Sequence, residues 1–103
     1  MQRFEYISLT FQFHKEDEVW VGECVELGTS TFGSTLEETE KELIDLVTLH
    51  LNTLEDLNER DRFFSENGIQ IYYNKPPEKV NLNSVSPEFF VKAHFHNLPV
   101  NVA

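Results

Sequence analysis

The chain has 103 residues, of which 40% are hydrophobic and 13% aromatic, enough for one domain with a modest core. Eighteen Asp and Glu against eight Lys and Arg give a net charge of −10, which repels phosphate and counts against a nucleic-acid binder. No apolar run approaches the roughly 20 residues that a membrane helix needs.

Residues 1–11, MQRFEYISLTF, alternate instead of forming an apolar block, so they do not read as a signal peptide. The single cysteine, Cys24, has no partner for an internal disulfide and reads as a small core residue. Together these features predict a cytoplasmic protein. The acidity either favours a basic protein partner or only keeps the chain soluble.

Residues 4 to 13 alternate as a first strand, with Ile7, Leu9, Phe11 and Phe13 on the core face. The charged run His14 to Glu18 turns the chain. Val19 to Val25 is a second strand, and Glu23 marks its outward face, so Trp20, Gly22 and Cys24 point at a helix. Leu27-Gly28 supplies a turn, and Thr29 to Phe32 is a third strand ending at Gly33.

Ser34 with Glu37, or Thr35 with Glu38, fits a capping box. A helix then runs from near Thr35 at least to Leu54. Leu36, Leu43, Ile44, Val47, Leu51 and Leu54, with the stem of Glu40, form its inward stripe. Glu37, Glu38, Glu42, Asp45, Glu55 and Asp56 face outward. A short second helix between residues 58 and 67 stops at Gly68. Residues 69 to 74 form a strand, residues 75 to 88 a loop rich in Pro, Asn and Ser, and Phe89 to His96 a last strand with Phe89, Val91, Ala93 and Phe95 on one face and Phe90, Lys92, His94 and His96 on the other, an exposed polar face. Leu98 to Ala103 read as a frayed tail.

The expected class is α+β: an antiparallel three-stranded meander crossed by one long helix, plus one or two C-terminal strands. The expected organisation is a single domain over 1–103, with a core at 4–74, a loop at 75–88 and a C-terminal strand at 89–96. Phe4, Tyr6, Val21, Tyr72 and Phe90 lie opposite the assigned core face, which predicts a homodimer or higher oligomer.

The stretch W-x-G-x-C-x-E-L-G followed by T-x-G-x-T-L-E-E carries a resemblance. Its positions are Trp20, Gly22, Cys24, Glu26, Leu27, Gly28, Gly33, Thr35, Leu36, Glu37 and Glu38. Over roughly residues 5 to 55 the chain resembles the N-terminal domain of HicB-type antitoxins, and it has Val25 where many members have Pro. The resemblance implies a truncated ribonuclease-H-like fold, a place in a toxin–antitoxin system, and a small basic HicA-type ribonuclease as partner. It places the strand at 69–74 beside the first strand. The DNA-binding segment usual in that family is a ribbon-helix-helix or helix-turn-helix. Residues 61–103 instead read as helix, strand, proline loop and strand, with Arg62, Lys75, Lys79 and Lys92 as their basic residues.

Three readings follow. The first is a non-catalytic antitoxin-like binding domain, whose outer helix face at Glu37, Glu38, Glu42 and Asp45 meets the partner. The second is a stand-alone homo-oligomeric domain without a toxin. The third is a ribonuclease-H-like hydrolase, for which Glu5 and Glu23 are the acids inside the first two strands; two-metal hydrolysis needs several carboxylates converging on two sites about 4 Å apart. His94 and His96 form an H-x-H pair that falls short of a metal ligand set, with His14 and His50 further candidates by type. No cofactor, metal, nucleic acid or membrane is expected.

Overall fold

In the computed structural model, residues 5–73 and 89–98 are described. The order is β1 (Glu5–Glu16), β2 (Val19–Cys24), β3 (Thr29–Gly33), α1 (Leu36–Asp56), α2 (Arg60–Glu66), β4 (Ile71–Tyr73) and β5 (Phe90–Leu98). The class is α+β: one antiparallel sheet carrying one long helix. The expected loop at 75–88 and the tail beyond Leu98 lie outside the described residues.

β1 is the centre of the sheet. Glu5 to Phe13 pair with β5, while Phe11 to Glu16 also pair with β2, and Glu5 to Ile7 also pair with β4. A strand has two edges, so β5 takes one of them, and β2 and β4 share the other end to end. β4 therefore lies beside the first strand, as expected. β3 continues the sheet beyond β2.

β1 is longer than its sequence suggested. His14, Lys15 and Glu16 remain in the ladder, and the reversal falls at Asp17, whose φ of 55° is left-handed. A charged run reads as a turn, but in an antiparallel hairpin the polar side chains of both arms can reach water, so charge alone does not end a strand.

The core lies between the sheet and α1. Ile7, Leu9, Phe11 and Phe13 are fully buried, together with Leu43 and Val47 of the helix. Each such side chain contributes roughly 2 kcal/mol by leaving water. Tyr6 is also buried, at 3% exposure, although it lies on the opposite face. Its ring stacks on Tyr72 at 5.5 Å and meets Phe95 edge-on at 5.8 Å.

α1 starts where Thr35, extended at φ −128° and ψ 160°, accepts the Glu38 N–H on its hydroxyl at 3.1 Å. The capping pair is thus Thr35 with Glu38. Glu37 and Glu38 also place negative charge in the first turn, where the helix dipole favours it. α1 ends in a Schellman arrangement: Asn58 is left-handed at φ 54°, and the Glu59 N–H donates to Leu54 O at 2.9 Å. α2 ends the same way, with Gly68 at φ 66° and the Ile69 N–H on Phe64 O at 2.9 Å.

Thr39 is fully buried in the helix stripe. Its hydroxyl donates to Thr35 O at 2.8 Å, so it enters the core satisfied. It sits against Gly22 and Gly33, where an added Cβ would fall 2.9 Å from its methyl and 2.7 Å from its hydroxyl oxygen, respectively. The two glycines are what allow the helix to approach the sheet so closely.

The register corrects the assignment of the last strand. Phe90, Lys92, His94 and His96 pair with Phe13, Phe11, Leu9 and Ile7. Directly paired residues share a face, so these four lie on the helix side and not opposite the core face. Leu98, expected in a frayed tail, instead ends β5 and is buried opposite Glu5.

Candidate functional site

Three of the four acidic residues expected to meet a partner come together. Glu38, Glu42 and Asp45 are spaced i, i+4, i+7, which keeps them on one stripe of α1. With Lys41 they form one wall of a groove of about 580 Å3, and Val19, Phe32 and Ser34 form the other. Glu37 is exposed on the helix but does not line this groove. The helical period explains the split, since adjacent residues point about 100° apart.

Phe32 is the element that the sequence reading did not single out. The residue is 72% exposed, the largest value among the exposed large hydrophobic residues described. The signal was available in the strand parity: Gly33 and Thr31 face the helix, so Phe32 must face away from it. Chemically the groove offers three carboxylates and one ammonium, with Phe32 bordering it from the sheet edge and its ring toward the face away from α1. That set suits a cationic ligand, because three carboxylates outweigh the one ammonium.

The other candidate residues separate. Glu5 pairs with Leu98 and Tyr73 on the helix side of the sheet, whereas Glu23 lies on the opposite face and accepts from Gln12 Nε2 at 3.3 Å. The two carboxylates do not converge. Among the described residues no three His, Cys, Asp or Glu side chains gather as a metal site. His14 contacts Glu16 at 3.0 Å, and His50 meets Phe63 edge-on at 5.4 Å. The Cys24 thiol is buried and its pKa is pushed up to about 11, chiefly by that burial, so it carries no thiolate at neutral pH.

His94 and His96 are half-buried, not on an open polar face. The His94 ring stacks on Phe11 with centroids 4.6 Å apart, and the His96 ring lies 5.7 Å from it. A scan of known protein families, a search of curated proteins and a search of solved structures each found no match to this chain. The roles of these residues therefore rest on their geometry.

Burial is the main cause that lowers the His94 pKa to about 4; His96 and Lys92 lower it further, and Glu40 of α1 opposes them. Glu40 is held by Lys92 at 2.5 Å. Between pH 6.5 and about 4 the unfolded chain takes up a proton at His94 that the native state refuses, so stability falls as pH drops through that window. The His94→Phe variant is expected to lose this part of the slope. Its stability relative to wild type should rise by about 1–2 kcal/mol between pH 7 and pH 4.5, because water around the half-buried ring screens part of the effect. Urea melts of both proteins across that pH range are the check; parallel curves would show that His94 is not the group responsible.

Among the described residues no helix is long and apolar enough to cross a membrane.

Proposed function

We propose that the chain is a HicB-like antitoxin, or an orphan relative of one: a non-catalytic, cytoplasmic protein-binding domain that neutralises a small basic ribonuclease of the HicA type. The observation that carries the reading is the groove in which Glu38, Glu42 and Asp45 stand opposite Phe32, on a chain of net charge −10. Such a groove attracts a basic surface over a Debye length, and the exposed Phe32 beside it offers apolar contact at its border. The motifs W-x-G-x-C-x-E-L-G and T-x-G-x-T-L-E-E support the resemblance through the roles their residues take. Gly22 and Gly33 receive the helix, Cys24 fills the core, and Glu26 bonds to Thr10.

The test is binding of the small basic protein encoded beside this chain's gene, measured over a salt series. Glu38→Lys combined with Glu42→Lys is expected to lower the association rate at least tenfold and to flatten its salt dependence. Unchanged rate and salt dependence would remove the groove from the docking surface.

A stand-alone homo-oligomer is the second reading. It draws on Tyr73 and Phe90, both more than half exposed. Light scattering at micromolar concentration separates it from a monomer. The hydrolase reading has weaker support, because Glu5 and Glu23 occupy opposite faces of the sheet.

A further inference from the structure

The ladder determines which backbone groups of β3 are free. Thr10 bonds toward β2, since its carbonyl accepts the Val25 N–H at 3.0 Å and its own N–H donates to Glu26 at 2.7 Å. By alternation Gln12, His14 and Glu16 also point toward β2, where Glu23, Val21 and Val19 oppose them. Cys24, Gly22 and Trp20 then point the other way, at Thr29, Thr31 and Gly33. Ser30 and Phe32 are left with N–H and C=O directed outward. Among the described residues no strand pairs with that edge. Phe32, whose backbone groups point outward and whose side chain lies on the face away from α1, is also one of the residues that line the acidic groove.

We propose that the outer edge of β3 receives an extended, arginine-bearing segment of a basic partner, which adds as a strand between β3 and the acidic stripe of α1. Strand addition in a groove between a sheet edge and a helix gains affinity from main-chain hydrogen bonds and selectivity from alternate side chains. The spacings agree. Same-face side chains of a strand repeat about every 6.7 Å. Glu38 and Glu42 are four residues apart, about 6 Å along the helix axis. Two cations on alternate residues therefore face two carboxylates, and the apolar side chains between them, on the other face of the added strand, lie on the side of Phe32.

Charge selects this occupant over the others. A second copy docked groove to groove would bring Glu38, Glu42 and Asp45 against their own counterparts, on a chain of net charge −10. A nucleic acid would bring phosphates to the same carboxylates. The inference rests on reading the groove as a protein-binding surface, and its test needs no toxin.

The probes are an acetylated, amidated hexapeptide of alternating arginine and valine, the same peptide N-methylated at alternate residues, and its glutamate–valine counterpart. Binding is followed by amide NMR on the full chain. The arginine peptide is expected to shift and slow the exchange of the Ser30 and Phe32 amides. N-methylation on the bonding side should weaken it at least tenfold, as should Glu38→Lys with Glu42→Lys. Phe32→Ala, at an exposed site, should weaken it severalfold with the fold intact. The glutamate peptide should not bind. No binding of the arginine peptide, equal binding of its N-methylated form, or shifts confined to β5 would each overturn the proposal. Failure of the neighbouring-gene product to bind, with the peptide results intact, would overturn the toxin assignment alone.

Discussion

Gly22→Val is expected to destabilise the protein by about 3 kcal/mol or more, the upper part of the range for overpacking a core. A Cβ at position 22 would lie 2.8 Å from Phe13 Cε1 and 2.9 Å from the Thr39 methyl. Neither neighbour is free to move: the Phe13 ring is fully buried, and Thr39 is part of α1 and bonded to Thr35. The strain therefore passes to the seating of the helix. Thermal melts should show a drop of well over 10 °C, since each kcal/mol moves Tm by about 4–8 °C in a domain of this size. Gly22→Ala should cost less, and Thr39→Ser, which removes the methyl but keeps the hydroxyl, should recover part of that loss. A Gly22→Val variant that melts like wild type would mean that α1 does not lie this close to β2.

Glu26→Ala should cost about 2–3 kcal/mol, through hydrogen bonding and not through packing. The Glu26 carboxylate accepts the Thr10 N–H at 2.7 Å and the Thr10 hydroxyl at 2.8 Å. It occupies the gap on the β1 edge between β2 and β4, where the Val25 N–H still reaches the Thr10 carbonyl but no backbone acceptor meets the Thr10 N–H. One side chain thus stands in for a missing backbone acceptor. Alanine leaves both donors without their acceptor. Glu26→Gln keeps one oxygen and should lose about half as much. Urea denaturation of Glu26→Ala, Thr10→Val and the double variant is the check, and additive losses would mean that the two residues are not coupled.

The sheet and the long helix were legible in the sequence because they follow strong periodic patterns. Ile7, Leu9, Phe11 and Phe13 alternate without interruption, and Leu43, Val47, Leu51 and Leu54 keep to one helical face. Other features depend on long-range pairing that local pattern does not encode. Thr39 enters the core because of two glycines on other strands, and its polarity hides it from an apolar count. The faces of β5 follow from its register on β1, and the alternation of Phe89 to His96 fits either orientation. Among the described residues of the strand expected over 69 to 74, Ile71 to Tyr73 join β1, whereas the Ile69 N–H closes the end of α2. At the candidate site the stripe of Glu38, Glu42 and Asp45 was legible from spacing. Its meeting with Phe32 was not, because it depends on how α1 lies across the sheet.

The bonding of β1 to β5 also bears on the time course of folding. The β2–β3 hairpin and α1 follow β1 directly and can assemble on it while the rest of the chain is still being made. The second edge of β1 waits for residues 90–98, so the zipper from Phe13↔Phe90 to Glu5↔Leu98 closes last. Until then Ile7, Leu9, Phe11 and Phe13 lie on a strand with an open edge, which is the exposure that leads to mispairing between chains. Closing contacts so distant in sequence is also slow, because the loop entropy is lost before the contacts repay it. During synthesis the nascent chain is therefore most vulnerable in the interval between the appearance of α1 and the arrival of β5.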